Sequence, residues 1–248
     1  MMTIKDVYER FEKLHSYSFA TLDGDYPEIR IAHFLTYDEE GLYFMTMKVK
    51  PFYEQLKRGK KIAVCAQVTK SDGAATHDED GLSYFPAGYN IRVSGDVREL
   101  STQELYAKAK KDDRFIGCVK DLERYPTMTT FVLHSFKGEL YDFDFEKEFR
   151  DHKIERERFS FNGMDFIEPG FVIDPAKCIS CGICAEVCTF AAIIPGESYS
   201  IMGSHCDECG SCYSACPATA ITAKAPLDEV ERKAIGKQIL AYARSQKS

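Results

Sequence analysis

The sequence predicts a mainly β N-terminal domain, an antiparallel barrel or sandwich with flanking helices. A small α+β module held by metal and a C-terminal helix follow it. Three observations carry this reading. Up to about residue 145, short β-branched and aromatic runs alternate with tight turn signals, and helical stretches are few. There is no βαβ alternation and no GxGxxG, which argues against a dinucleotide fold. Eight of the ten cysteines fall between Cys178 and Cys216, and such crowding fits metal ligation better than disulfides.

The elements follow in order. Ile4, Val7, Tyr8, Phe11 and Leu14 keep a 3.6-residue period and predict an amphipathic helix over 3–15. Ser16–Leu22 reads as a strand, Asp23-Gly24-Asp25 as a turn and Ile29–Tyr37 as a second strand. After Asp38-Glu39-Glu40-Gly41, Leu42–Met47 reads as a third strand. Pro51 opens a short helix to Arg58, with Gly59 beyond it. Lys61–Thr69 is a strand, Ser71–Gly81 a polar loop and Asn90–Leu100 a strand. Ser101 caps a helix reaching Lys111. A hairpin is expected from Thr130–Phe136 and Glu139–Phe145 around Lys137-Gly138. Residues 146–168 form a charged connector in which Arg158–Phe161 reads as a last strand, and Glu168-Pro169-Gly170 marks a boundary. Val230, Ile235, Ile239, Leu240 and Ala243 give Asp228–Arg244 helical periodicity. The expected domains are therefore residues 1–145, the connector 146–168, the cysteine module 169–222 and a terminal helix in 223–248.

The chain has 248 residues, 44% hydrophobic and 29% charged, with net charge −7. This suffices for a buried core and disfavours a nucleic-acid partner, because phosphate backbones call for clustered Lys and Arg. No apolar run approaches the roughly 20 residues of a membrane span. Met1–Leu14 carries mixed charge and no apolar core, so the expected address is the cytoplasm.

The cysteines form two runs, Cys178-x2-Cys181-x2-Cys184-x3-Cys188 and Cys206-x2-Cys209-x2-Cys212-x3-Cys216-Pro217. Zinc sites favour two C-x2-C pairs around a spacer. The spacing here is that of two [4Fe–4S] clusters, in which three close cysteines hold one cluster and the fourth reaches the other. Cluster one then takes Cys178, Cys181, Cys184 and Cys216, and cluster two takes Cys206, Cys209, Cys212 and Cys188. Small residues between ligands (Gly182, Gly210, Ser211) let backbone amides approach the sulfurs. The module resembles the dicluster bacterial ferredoxins. It departs from them at Thr189, where the run usually has Pro, and in a longer segment between the quartets.

Residues 1–145 resemble the FMN-binding split-barrel family that includes the pyridoxamine 5′-phosphate oxidases. The carriers are Ser18–Gly24, Pro27-Glu28-Ile29-Arg30, Leu42-Tyr43-Phe44-Met45-Thr46 with Lys48, Lys50, Tyr53, Gln55 and Leu56, and Ile91–Val97. The resemblance implies a split barrel that binds FMN through Arg30, Thr46, Met47, Lys48, Lys50 and Gln55. A phosphate dianion suits a guanidinium fork and ammonium groups. It also implies a homodimer with flavin at its interface. Tyr84, Phe85 and Tyr89 read as core or pocket aromatics. His33, His77 and His134 read as bystanders, and Cys65 and Cys118 (near a helix end) as inert. No catalytic residue is assigned.

Together these features point to an oxidoreductase passing electrons from the two clusters to FMN and on to a small organic substrate. A ferredoxin or other redox protein would be the donor. The alternative is an electron-transfer protein that serves a partner protein and has no small substrate of its own. Pyridoxamine 5′-phosphate oxidation ranks lower, since an oxidase delivering electrons to oxygen has no use for two clusters. Haem handling lacks a clear axial ligand.

Overall fold

The computed structural model describes residues 2–14, 16–69, 76–77, 83–84, 88–143, 155–165, 170–224 and 229–245. Most of the polar loop 71–81, Phe85, connector residues 146–154 and the boundary at 168–169 lie outside these. The chain divides into two units, Met1–Leu140 with Phe159–Phe166, and Tyr141–Arg158 with Ile167–Ser248.

The first unit opens with α1 (Ile4–Glu12). Thr3 and Asp6 close a reciprocal capping box, and Val7 and Phe11 are buried. β1 (Tyr17–Asp23) and β2 (Tyr26–Ala32) form a hairpin whose last pair is Asp23 with Tyr26. Gly24, at φ 60°, takes the left-handed conformation this tight turn needs. The second strand thus starts three residues before its expected Ile29. It breaks where Phe34 turns inward and its N–H donates to the Tyr17 hydroxyl. Pairing resumes at β3 (Thr36–Tyr37) with β4 (Leu42–Met47). Next come α2 (Pro51–Gly59), stopped by Lys60 in the left-handed region, and β5 (Lys61–Thr69). The short pair β6 (Thr76–His77) and β7 (Ser83–Tyr84) precedes β8 (Gly88–Glu99).

Ser101 and Glu104 box the start of α3 (Thr102–Ala109). A 3₁₀ turn (Asp113–Phe115) leads into α4 (Ile116–Arg124), which the sequence reading did not anticipate. Cys118 lies in the first turn of α4 and is buried.

The late hairpin is a second correction. Met128–Phe143 is one continuous strand, β9. Lys137-Gly138 looks like a turn signal, yet glycine serves close packing here. A Cβ on Gly138 would stand 2.5 Å from both the Arg92 carbonyl and the Phe159 ring. β10 (Glu155–Phe161) pairs with β9.

The strand order is β2-β1-β5-β8-β9-β4-β3, with β10 added on β9. Four strand steps separate β1 from β4, about 19 Å in a flat sheet at the ordinary spacing. Yet Phe19 of β1 and Phe44 of β4 stack edge to face at 5.3 Å. The sheet therefore curls round on itself. Its interior is a single cluster that includes Phe11, Phe19, Phe44, Leu56, Ile91, Phe131 and Phe136. Alternation sends Tyr43 and Val132 to the outer face, where they pack against Leu105, Phe115 and Cys118. This is the expected antiparallel split barrel with flanking helices.

The second unit is small. β11 (Phe171–Ile173) pairs antiparallel with β14 (Ile221–Ala223). Between them lie α5 (Ile183–Glu186), β12 (Ile193–Ile194), β13 (Ser200–Ile201) and α6 (Ser211–Ala215). α7 (Glu229–Ser245) packs Ile239, Leu240 and Ala243 onto this core. It can approach α6 because Gly236 lies directly against the Ser214 backbone. Among the described residues no helix is long and apolar enough to cross a membrane.

Candidate redox centres

The cysteine module is built twice. Each cysteine of the first run has its counterpart 28 positions later, Cys178 with Cys206 through Cys188 with Cys216. The backbone repeats as well. Ser180 and Glu208, Gly182 and Gly210, and Ala191 and Thr219 all have positive φ. The two glycines, at 79° and 82°, open the short helices α5 and α6 and swing the next cysteine inward. Amides follow the same repeat. The Ala192 N–H donates to Cys188 Sγ at 3.4 Å and the Ala220 N–H to Cys216 Sγ at 3.3 Å. The Glu208 N–H donates to Cys206 Sγ at 3.4 Å.

Two cavities result. One is lined by Cys178, Cys181, Cys184 and Cys216, closed by Ile173, Tyr199 and Ile221. The other is lined by Cys188, Cys206, Cys209 and Cys212, closed by Phe171, Ile193 and Ile201. The fourth cysteine of each run thus stands with the first three of the other. Four cysteines around an apolar cavity are the ligand set a [4Fe–4S] cluster takes. Burial, reinforced by neighbouring cysteines with Cys188 foremost, pushes the Cys212 thiol up to about 12. Gathering such thiolates needs a compensating metal charge.

In the barrel, a cavity of about 740 Å³ lies beside β2, the end of β4 and the start of α2. Arg30, Thr46, Met47, Lys50 and Gln55 line it. Lys48 is not among its lining residues, and its ammonium stands 4.0 Å from the Glu99 carboxylate. Arg30 donates to Thr21 Oγ1 at 2.6 Å and to Gln55 Oε1 at 2.7 Å, and lies 4.2 Å over the Phe52 ring. These contacts fix the guanidinium plane and leave donors for a ligand. Burial draws the Arg30 pKa somewhat down, and the group stays a cation.

Sequence reasoning missed His33, Met45, Asp121 and Met128, which also line the cavity. Asp121 and Met128 come from distant elements and leave no local motif. Lys50 is the N-cap of α2. Pro51 has no N–H and the Tyr53 N–H donates to the Lys50 carbonyl at 3.0 Å, so the first turn brings the Lys50 side chain to the cavity rather than a set of free amides. Tyr89 belongs to the core and donates to the Arg10 carbonyl at 2.7 Å. The side chains of His77, Tyr84 and Phe85 lie outside the described residues. Cys65 is on an exposed strand face.

Residues 170–217 match the family described as the 4Fe-4S dicluster domain, so the chain carries such a domain. No curated protein matches the sequence. Among solved structures, a NimC/NimA family protein from Clostridium acetobutylicum is 17% identical, with TM-score 0.44, covering 65% of this chain and 95% of its own. The haem storage protein HutZ from Vibrio cholerae is 15% identical, with TM-score 0.37, covering 54% and 90%. A putative pyridoxamine 5′-phosphate oxidase from Listeria innocua is 15% identical, with TM-score 0.34, covering 52% and 89%.

Proposed function

We propose that this chain is an FMN- and iron–sulfur-dependent reductase. Electrons enter at two [4Fe–4S] clusters, reach FMN in the barrel and leave to a small organic substrate. The observation that carries the reading is that one chain holds both kinds of site. It has two cavities each lined by four cysteines, and a cavity with two cationic side chains.

The residues divide the work as follows. Cys178, Cys181, Cys184 and Cys216 hold the first cluster, and Cys188, Cys206, Cys209 and Cys212 the second. Arg30, Lys50 and the Thr46 hydroxyl receive the flavin phosphate. Gln55 and Thr21 orient Arg30. FMN, when bound, supplies a centre that accepts single electrons and delivers pairs. A reduced ferredoxin-type protein is the proposed donor. The exposed apolar row of β1 and β2, with Leu22 59%, Ile29 68% and Ile31 68% exposed, favours a homodimer in which the partner covers the cavity mouth.

The test uses full-length protein made anaerobically. It should carry about eight iron and eight sulfide per chain, with FMN as the released flavin. Arg30→Ala with Lys50→Ala should lose flavin and keep its iron. Cys181→Ala should lose one cluster and slow flavin reduction by a low-potential ferredoxin at least about tenfold, equivalent to about 1.4 kcal/mol in barrier. Release of FAD, or stoichiometric zinc without visible charge-transfer absorption, would refute the cofactor assignment. An unchanged reduction rate in Cys181→Ala would sink the electron path.

A further inference from the structure

The two halves of the cysteine module repeat in backbone and ligands but differ in charge. In the first half the spacer between the first two cysteines is Ile179-Ser180. In the second it is Asp207-Glu208. Two carboxylates are thus built into the loop that passes Cys206 and Cys209.

Both carboxylates are met by arginines from one strand. Arg156 and Arg158 are two apart on β10, so they share a face. Arg156 pairs with Asp207 at 2.6 Å, their side chains 17% and 22% exposed. Arg158 pairs with Glu208 at 3.3 Å and is itself only 1% exposed. Its other terminal nitrogen donates to the Gly203 carbonyl at 2.9 Å, three residues before Cys206. Glu208 Oε1 also accepts the Gly170 N–H at 2.7 Å, while the Glu208 amide donates to Cys206 Sγ. One buried cation is therefore tied to both sides of Cys206, next to an amide that already touches its sulfur. All of these residues belong to the second unit.

Among the described residues the Ile179-Ser180 spacer of the first half carries no such pair; the ion pairs near it, Lys177 with Asp174 and Arg244 with Glu186, have exposed cations. Ile179 is 65% exposed, and the Ser180 hydroxyl is spent on the Glu197 carbonyl. Reduction adds negative charge to a cluster, so nearby carboxylates oppose it and nearby cations favour it. At low local dielectric a buried arginine acts strongly over such distances.

We propose that Arg158, assisted by Arg156, is a positioning and tuning residue for the second cluster. It holds the Cys206–Cys209 spacer in place and offsets Asp207 and Glu208, so that this cluster accepts an electron more readily than its carboxylates alone would permit. The pair leaves the first cluster essentially untouched, and the two potentials differ for this reason. The inference rests on the two-cluster reading above.

The test is a potentiometric titration followed by EPR on the full chain, with iron and sulfide counted in every sample. Wild-type counts below two clusters would fail the cluster reading itself, apart from this inference. With both clusters present, Arg158→Gln should lower one couple by at least a tenfold change in its oxidised-to-reduced ratio, about 59 mV for one electron. Glu208→Gln should raise the same couple. The double variant should return towards wild type, and Arg158→Lys should retain most of the potential. The other couple should stay within error throughout. Equal shifts in both couples, no shift in either, or shifts of the same sign in the two single variants would overturn the proposal. Should Arg158→Gln lose iron, Glu208→Gln decides alone: a selective rise in one couple upholds the inference and an unmoved pair overturns it.

Discussion

At the scale of single residues, the barrel's clearest electrostatic feature lies away from the cavity beside β2. Lys108 reaches Asp38 at 2.6 Å and Glu40 at 3.1 Å, and the Tyr43 hydroxyl donates to Asp38 at 2.8 Å. Burial alone would raise the Glu40 pKa. Hydrogen bonds from Lys108 and Arg98 outweigh it and hold the carboxyl below its usual 4.5. A depressed carboxylate contributes stability that is fully present above its unfolded pKa. That stability is lost as pH falls through the folded one. The full chain should therefore lose stability as pH drops below about 4.5, the ordinary carboxylate range. Lys108→Met should cost about 1.5–3 kcal/mol near neutrality, the worth of hydrogen bonds to a charged group. It should also flatten the acid limb, as read by urea unfolding at stepped pH. A variant with wild-type slope would remove Glu40 as the source.

At the scale of elements, glycine carries two different meanings in this chain. At Gly24, Gly182 and Gly210 it supplies positive φ, and the surrounding turn chemistry advertises it. At Gly138 and Gly236 it supplies room. Local sequence does not separate the two, which is why β9 reads as a hairpin. Gly138→Val should therefore destabilise the barrel by about 1–3 kcal/mol through overpacking. At Gly24 a Cβ would meet nothing within 4 Å, and the cost of a side chain there comes from the positive φ instead. Thermal melts of Gly138→Val and Gly138→Ala should rank by side-chain size. A neutral Gly138→Val would show that β9 and Phe159 yield easily.

At the scale of the whole molecule, the open question is what covers β2. Ile29 and Ile31 face solvent on the edge strand β2, and Leu22 of the neighbouring β1 is exposed on the same face. Ile29 and Ile31 also line the cavity assigned to flavin. If a second copy covers this face, Ile31→Glu buries a charge at the contact. Sedimentation should then show a dimer at least about tenfold weaker, equivalent to about 1.4 kcal/mol. Flavin content should fall with it. Wild-type protein that sediments as a monomer while holding flavin would end the dimer proposal.

By itself, the sequence determined the parts whose information is local. Cluster spacing is local, because each loop must wrap a cubane within a few residues. Helix starts such as Thr3 and Ser101 are local, because a cap bonds only three residues ahead. Strands Leu42–Met47 and Lys61–Thr69 are local, because each is a short run of strand-forming residues bounded by turn or helix signals. Tertiary structure decided the rest. Lys48 is drawn to Glu99 while Lys50 faces the cavity, and that depends on a strand far along the chain. Asp121 and Met128 enter the cavity, and Arg158 meets Glu208, across separations no motif spans. These contacts are set by how the sheet curls and how the cysteine loops fold back, and side-chain packing over distance leaves no periodic trace in the residues that make it.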